Sequence, residues 1–405
     1  MKSRMLIELA IATLITMSST VYCQKIAKIE DLGSRVEKLW EVNIPIQPNR
    51  QGSLMYAVLT TGIAVLSPEG KTIYCYDYNN GQLRWQAPAI QINSSNGAIY
   101  STADGEFLLL RYPHNEVEIT TAIYTNDGQL LWSALYEALF SISPSGNYLI
   151  SERRLSGGSM PLTVLDLTSG NRLWQIDPPK SYGHWEAASS KDDKIVYYNG
   201  GALKLFQLSD GKLLWERNVE FDPRTDDGSV HISRMGNVIS YDATIGILRN
   251  KKQVTHVFND EGELLWQRTR PNIHGKSNGG RIKGISDGGE YIAIKDGSRF
   301  SVYDIKKEQE LWTLTEAGLS SIRIFTKEVL IFPPKPQETR SITLREDGTI
   351  QNRHTLNQFI DFRCGKESGL ISKKESTCEL APIIVSKTDG QFVLSKVNVD
   401  FSAIK

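Results

Sequence analysis

The chain is poor in cysteine, has no net charge and carries no signature motif of a common enzyme class. Its 405 residues include four cysteines, and 46 basic residues balance 46 acidic ones. Without a charge run or a low-complexity tract, this balance gives no indication of a nucleic acid partner. The motifs GxSxG, HExxH and GxxxxGK(S/T) are absent, which removes the signatures of several hydrolases and of phosphate-binding loops.

The N-terminal segment resembles a secretory signal. Lys2 and Arg4 precede a mostly apolar stretch, residues 5–16, and a cleavage site fits between Cys23 and Gln24. The apolar stretch is too short to span a bilayer comfortably. We therefore expect an exported protein, periplasmic or extracellular, that does not span the membrane once residues 1–23 are removed. An uncleaved anchor or a buried first segment is the alternative.

The cysteines give few constraints. Tyr22 is bulky where bacterial lipoprotein signals have a small residue, which favours simple export over a lipid anchor at Cys23. Cys75 lies in an apolar, strand-like run and is expected to be a small buried residue. Cys364 and Cys378 flank a polar segment and would either form a disulfide in an oxidising compartment or remain free thiols. With no CxxC motif and no clustered histidines beside them, we expect no metal site.

A tryptophan recurs along most of the chain, four residues behind a glycine. The pairs are Gly81–Trp85, Gly128–Trp132, Gly170–Trp174, Gly211–Trp215 and Gly262–Trp266, and Trp312 follows Glu308 at the same spacing. Asp347-Gly348 and Asp389-Gly390 are weaker copies of the turn. From Trp40 onward the spacing averages about 44 residues, within the range of four-stranded propeller blades.

Each repeat contains two hairpin signals. The tryptophan turn is the second, and the first is a serine-led turn such as Ser143–Tyr148 or Ser233–Val238. Two hairpins give four antiparallel strands, and the short β-branched and aromatic segments argue against helical repeats. We expect each tryptophan to seal its blade against the next, with the indole N–H bonded at the wet rim.

The predicted fold is therefore all-β, a β-propeller formed by residues 24–405 as one domain. Eight blades are predicted, and seven are the alternative. Residues 39–42 are expected to close the ring by pairing beside the C-terminal strands, since closure removes two exposed sheet edges.

The pattern Asp-x-x-x-Gly-x-x-Leu-Trp, clearest from Asp166 to Trp174, resembles the tryptophan-docking (PQQ-like) repeat of the quinoprotein-like propellers. The resemblance covers roughly residues 36 to 400. That group contains pyrroloquinoline-quinone dehydrogenases and also non-enzymatic propellers, such as the periplasmic lipoprotein of the outer-membrane barrel assembly machine. The resemblance thus implies the repeat and the fold, but no single activity.

The same resemblance argues against a cofactor. The quinone-dependent dehydrogenases typically have adjacent cysteines that form a vicinal disulfide under the quinone, and this chain has no Cys-Cys pair. We expect neither PQQ nor calcium. Residues 222–228 include three carboxylates but lack the alternating ligands of a calcium loop, which favours a solvated turn.

Two groups of residues are candidates for a ligand or partner site. The position three before the first-turn serine is Ala98, Phe140, Ala187 and Val230 in early repeats but Lys283 and Arg323 in late ones. These charges would make one side of the central opening cationic, unless they pair with local carboxylates or reach water. The second group is His184, Trp185 and Glu186, at the start of an innermost strand; alternatively, Trp185 fills a gap between blades.

The leading interpretation is an exported, non-catalytic binding or scaffold propeller for a protein or cell-envelope partner. The alternative is a divergent quinoprotein-type oxidoreductase or another propeller enzyme. An enzyme predicts titratable groups with perturbed pKa values, and convergence of His184, His231, Lys283 and Arg323 on one cavity would indicate such a site. A scaffold predicts an exposed apolar or aromatic patch.

Overall fold

The computed structural model describes residues 36–399 with several gaps. The segments outside the description are 45–54, 68–69, 91–97, 103, 114–117, 137, 155–160, 178–184, 223–227, 247–251, 272–280, 297–298, 316–320, 325–327, 333–338, 345–349, 357–382 and 389–390, together with both chain ends. The predicted signal and the pair Cys364 and Cys378 therefore lie outside it. Within the described ranges, no helix is long and apolar enough to cross a membrane.

The described residues form seven four-stranded antiparallel sheets, called sheets 1 to 7 in chain order. Sheets 1 to 4 are β2–β5 (Met55–Val58, Gly62–Leu66, Thr72–Asp77, Leu83–Pro88), β6–β9 (Ala98–Ser101, Phe107–Pro113, Ile119–Thr125, Leu130–Tyr136), β10–β13 (Ala138–Ile142, Tyr148–Arg154, Leu162–Asp166, Arg172–Ile176) and β14–β17 (Trp185–Ser189, Lys194–Asn199, Ala202–Gln207, Leu213–Asn218). Sheets 5 to 7 are β18–β21 (Ser229–Ile232, Val238–Ile245, Lys252–Asn259, Leu264–Pro271), β22–β25 (Arg281–Ile285, Tyr291–Asp296, Arg299–Asp304, Gln309–Thr315) and β26–β29 (Ser321–Ile324, Glu328–Phe332, Thr339–Leu344, Ile350–Leu356). A three-stranded sheet adds β1 (Val36–Ile44), β30 (Ile383–Thr388) and β31 (Gln391–Val399).

The sheets are arranged as the blades of a β-propeller, as the repeat predicts. First strands of neighbouring sheets lie side by side, as β14, β18, β22 and β26 do in succession. They form the inner wall, and the fourth strands form the outer rim. Apolar clusters fill the spaces between consecutive sheets, from sheets 1 and 2 through to sheets 5 and 6.

The tryptophans join each sheet to the next. Trp174 on sheet 3 donates its indole N–H to the carbonyl of Leu208 in the turn of sheet 4, at 2.6 Å. Its ring lies over Gly211, where an added Cβ would meet the ring at 2.8 Å. The φ of Gly211 is +71°, so the backbone itself favours glycine. Trp85, Trp132 and Trp215 dock in the same way on Gly128, Gly170 and Gly262. The prediction of indole sealing is confirmed for these four sheets.

A register shift precedes each docked tryptophan. In sheet 4, Leu205 pairs with Trp215 but Phe206 pairs with Leu213, so Leu214 is a bulged residue. Sheets 1 to 3, 5 and 6 repeat this shift at their own tryptophans, and sheet 7 repeats it at Asn352. Such bulges sharpen the local twist of the edge strand.

The N-terminal strand completes the last sheet, as expected. β1 pairs antiparallel with β31, and the register shift between Lys38 and Trp40 places Trp40 like the other tryptophans. Asp389-Gly390 lies outside the described residues, but the strands on either side of it, β30 and β31, pair with each other. A tryptophan turn would instead connect to the tryptophan strand, which in this sheet is β1. The assignment of Asp389-Gly390 as a tryptophan turn is therefore wrong, because β1 supplies the tryptophan strand of this sheet. The choice between eight and seven blades stays a prediction.

The first hairpin turn is anchored by a buried hydroxyl. In sheet 5, Ser233 Oγ accepts a hydrogen bond from the N–H of Val238, at 3.1 Å. Sheet 2 uses Thr102 for this purpose, since its Oγ1 accepts from the N–H of Phe107 at 3.0 Å. The turn residue predicted from the sequence, Ser101, is therefore wrong by one position in sheet 2. The inner-strand position three residues before the turn is Ile99 and not Ala98.

Candidate functional site at the inner strands

Several of the predicted site residues come together at the inner ends of sheets 4, 5 and 6. Glu186 lies on β14, His231 on β18 and Lys283 on β22. These are consecutive inner strands. His231 lies 3.9 Å from Asp242 on β19, a residue that the repeat does not mark, and the charges of Glu186 and Lys283 act on the same carboxyl group. We call these four residues, together with Arg281, the Asp242 cluster.

Asp242 is the buried centre of this cluster. Its side chain is 0% exposed. One carboxylate oxygen accepts a hydrogen bond from Ser229 Oγ at 2.9 Å, and the other accepts from Gln253 Nε2 at 3.2 Å. Burial raises the pKa of Asp242 to about 7, although the Ser229 hydrogen bond and the positive charges of Arg281 and Lys283 act in the opposite direction. The carboxyl group therefore changes charge near neutral pH.

His231 lies beside Asp242 without reaching it. Its Nε2 atom is 3.9 Å from Asp242 Oδ1, too long for a hydrogen bond. Nε2 is buried and has no hydrogen-bond partner among the described residues, although the side chain as a whole is 34% exposed. Burial lowers the pKa of His231 to about 4, against the raising effect of Glu186. His231 therefore offers an unused polar atom in a neutral ring.

Lys283 occupies a bulge rather than a core position. Ile282 pairs with Ile294 and Gly284 pairs with Ala293, which leaves Lys283 as the extra residue of β22. Ile282 fills the buried position that Val230 fills in sheet 5, and Lys283 is exposed. The expected conflict between a charge and packed blades does not arise here, because the bulge turns the lysine out of the core. Partial desolvation of the ammonium group still lowers the pKa of Lys283, although the charge of Asp242 acts to raise it.

Glu186 and Trp185 lie on opposite faces of β14. Glu186 Oε2 accepts a hydrogen bond from the N–H of Val230 on β18, at 3.3 Å, and so faces sheet 5. Trp185 packs with Tyr197 at 5.8 Å between ring centres, in the apolar cluster between sheets 3 and 4. The two residues therefore do not form one site, and Trp185 fills a gap between blades.

The side chains of two other predicted site residues, His184 and Arg323, lie outside the described residues. His184 lies outside the described residues. Arg323 pairs with Leu330 on the next sheet, but its side chain is outside the description. Most of the polar loop before Arg281 is likewise outside it. Of the four residues predicted to converge in an enzyme, His231 and Lys283 lie on neighbouring inner strands of the described structure, and their convergence on one cavity stays a prediction.

The repeat pattern does not reveal Asp242, because this residue lies on the second strand of sheet 5, away from the turns and inner strands that the pattern marks. A signal was available in β19, where Ser240, Asp242 and Thr244 alternate with apolar residues in a strand that is buried throughout. Polar residues on one face of a fully buried strand indicate a polar contact between sheets.

The outer rim has a different character. One or both of the two residues before the tryptophan in sheets 1 to 5 are leucines that are between 37% and 51% exposed. They are Leu83, Leu130, Leu131, Leu173, Leu213, Leu214, Leu264 and Leu265. We call this set the rim leucines. They recur on the fourth strands of sheets 1 to 5.

Cys75 is the one cysteine among the described residues. Cys75 has no cysteine beside it and is wholly buried in the third strand of sheet 1. Burial raises the pKa of its thiol to about 12, as expected for a core residue. In the described part of the chain, no group of three or more His, Cys, Asp or Glu side chains is placed to hold a metal ion. Asp222 is buried, and its carboxylate accepts a hydrogen bond from the N–H of Gly246 at 2.9 Å.

The docking of four successive indoles, each on a glycine turn of the following sheet, defines a tryptophan-docking propeller. The family model described as outer membrane protein assembly factor BamB matches residues 35–176, 69–244 and 159–329. These overlapping matches cover more than half of the chain, and the chain belongs to this family. No curated protein matches it by sequence.

Solved structures resemble this chain at low sequence identity, and that of Sqt1 shows the same fold. Sqt1 of Saccharomyces cerevisiae has a TM-score of 0.53 at 9% identity, covering 90% of this chain and 99% of that one. BamB of Moraxella catarrhalis has a TM-score of 0.49 at 13% identity, covering 89% and 97%. Hsv2 of Kluyveromyces lactis has a TM-score of 0.47 at 14% identity, covering 74% and 98%. These likenesses concern the fold alone.

Proposed function

We propose that the chain is an exported, non-catalytic scaffold propeller that binds another protein of the cell envelope. The rim leucines carry this proposal. Exposed leucines that recur at one place in five consecutive sheets form an apolar surface of the kind that marks protein–protein contacts. Family membership supports an envelope partner, since the matching model describes an outer membrane assembly factor.

The outer strands suit such a role for a second reason. Each fourth strand is the edge of its sheet, and an edge strand has unpaired backbone groups that can pair with an extended segment of a partner. Leucines beside these groups would supply apolar contacts to the same segment. A partner could therefore gain both backbone hydrogen bonds and buried apolar area.

The proposal is tested by capturing partners from the native envelope with the double variant Leu130→Glu, Leu131→Glu. Both side chains are exposed, so the change is expected to alter stability by no more than about 0.5 kcal/mol. We expect a partner retained by the unchanged chain to be lost with the variant. Gln129→Glu, an exposed neighbour, adds the same kind of charge and should retain the partner. Equal capture by all three proteins would contradict the rim as a binding surface.

Export is the second part of the proposal. We propose that the chain is cleaved between Cys23 and Gln24 and released without a lipid at Cys23. The intact mass and N-terminal sequence of the protein recovered from the envelope fraction test this directly. A mature chain that begins at Gln24 is expected; one that keeps residues 1–23, or begins at a lipidated Cys23, would contradict it.

The Asp242 cluster favours a second candidate function, that of an enzyme. A carboxyl group with a pKa of about 7 next to a neutral histidine has the properties of an acid–base pair. Incubation with PQQ and calcium, followed by absorbance and dye-linked alcohol oxidation, tests the quinoprotein form of this candidate. Turnover that is lost in Asp242→Asn would favour the enzyme, whereas we expect no cofactor uptake.

A further inference from the structure

The interface between sheets 5 and 6 contains a carboxylate that is hydrogen-bonded at both oxygens and a histidine nitrogen with no hydrogen bond among the described residues. Asp242 is already hydrogen-bonded by Ser229 and Gln253. His231 Nε2 lies 3.9 Å from the same carboxylate, buried and without a hydrogen-bond partner in the described ranges. A buried nitrogen left in this way costs free energy, which an incoming acceptor would recover.

Lys283 adds an exposed positive charge beside this interface. The bulge in β22 lifts it out of the core and exposes it. Among the residues that the structure describes, no carboxylate lies within ion-pair distance of its ammonium group, and its electrostatic neighbours are Asp242, Arg281 and Lys295. Bulges often place a functional side chain in this manner.

Among the described residues, basic and acidic groups both surround His231 and Lys283. The acidic groups that face His231 are Glu186 from β14 and Asp242 from β19. The basic groups are Arg281 and Lys283 from β22 and Lys295 from β23. Besides Lys283 itself, two cations therefore face two carboxyl groups, and the carboxyl group of Asp242 is buried and already hydrogen-bonded. Arg281 and Lys295 have further interactions of their own.

We propose that His231 and Lys283 bind an oxyanion, a carboxylate or a phosphate group, at the inner wall between sheets 5 and 6. His231 Nε2–H would donate one hydrogen bond to it and the Lys283 ammonium a second, charge-assisted one. This site is separate from the rim leucines, so it can be present or absent whatever the scaffold function.

The test is a titration of His231 in the purified protein, followed by NMR of labelled histidine side chains. His231→Gln identifies the resonance among the six histidines. The titration is run in sodium chloride, in inorganic phosphate and in acetate at equal ionic strength. An anion bound at Nε2 stabilises the protonated ring, so we expect the pKa of His231 to rise by about one unit in a salt that binds.

Variants separate this site from a general salt effect. Lys283→Gln should abolish the anion-dependent rise, and Lys283→Arg should retain it. Lys252→Gln is the matched control, because Lys252 belongs to sheet 5 but pairs with Glu220 at 2.8 Å. A response to phosphate alone or acetate alone identifies the oxyanion that fits. Identical titrations in all three salts, or a rise that persists in Lys283→Gln, would overturn the proposal.

Discussion

The outer and inner strands of the sheets obey different rules. At the rim, sheets 1 to 4 use the same indole, the same glycine turn and the same backbone acceptor in the next sheet. At the inner wall, equivalent positions hold Ile99, Phe140 and Val230, and β22 adds Lys283 by a bulge. The rim repeats because every sheet must attach to its neighbour, whereas the inner wall is free to differ.

The contrast extends into the space between the sheets. Between sheets 1 and 2 the second strands are joined by apolar residues, among them Ala64, Leu108 and Leu110. Between sheets 5 and 6 the second strand contributes Ser240 and Asp242, both wholly buried. A buried carboxyl group lowers stability unless it is paired, so its presence points to a role other than packing.

The largest effect is expected from removing a rim indole. Trp215 is 8% exposed, docks on Gly262 and donates to the carbonyl of Asp260 at 2.9 Å. Trp215→Ala should lower the free energy of unfolding by about 3–5 kcal/mol, measured by urea denaturation. Trp215→Phe keeps most of the apolar area and should lose less. A small loss in Trp215→Ala would break the view that the rim holds the sheets together.

The glycine beneath an indole is expected to come next. Gly211→Ala forces a Cβ to within 2.8 Å of the Trp174 ring at a φ of +71°. We expect a loss of about 2–4 kcal/mol, from the backbone conformation and the displaced ring together. Gly200→Ala is the control: its φ is +54°, but nothing lies within 4 Å of the added Cβ. It should lose only about 1 kcal/mol, and equal losses would show that docking does not require the glycine.

The inner wall is expected to give a smaller, pH-dependent effect. The pKa of Asp242 is raised to about 7, so the native state holds a proton that the unfolded state has lost. Stability from this group is complete at low pH and declines as pH rises through 7. His231, whose pKa is lowered to about 4, acts in the opposite direction between pH 4 and its ordinary value near 6.5. Between pH 6.5 and 8 the titration of His231 in the unfolded state still offsets part of the decline, so Asp242 is isolated by comparison with Asp242→Asn.

Relative to Asp242→Asn, the unfolding free energy of the unchanged chain should fall by about 1 kcal/mol across that window. Asp166, at the turn of sheet 3, is the contrasting carboxylate. Hydrogen bonds from Ser169 and Thr168 outweigh its partial burial and lower its pKa, so its contribution is lost only as pH falls into the acid range. Asp166→Asn should leave the slope between pH 6.5 and 8 unchanged. A wild-type profile parallel to that of Asp242→Asn there would contradict the buried, titrating Asp242.

The smallest effect is expected where the rim departs from its own pattern. Glu308 replaces the repeat glycine in sheet 6 and has a φ of +53°. Glu308→Gly removes the cost of that conformation and should raise stability by about 0.5–1 kcal/mol, less the added freedom of the unfolded chain. Thermal denaturation measures this. A destabilised variant would show that Glu308 has a contact worth more than the strain.

The parts of the fold that repeat could be read from the chain. Spacing, turn chemistry and the tryptophans predict the sheets, the docking and the strand that closes the last sheet, because each depends on local geometry that recurs with every repeat. Single-residue register was less secure. Thr102 substitutes for the expected serine, and the bulge at Lys283 shifts β22 by one residue. Both are decided by pairing with a partner strand, which local sequence does not encode.

What the sequence determined by itself is the repeated unit, since a glycine that accepts positive φ and an indole four residues later fit one kind of hairpin. Only the tertiary structure decided which polar residues meet. His231 and Asp242 lie on paired strands of sheet 5, and Lys283 lies on sheet 6. The packing of sheet 6 on sheet 5 decides where Lys283 lies relative to the other two. Nothing in the spacing of the three residues fixes that contact, because it depends on the rotation from one blade to the next.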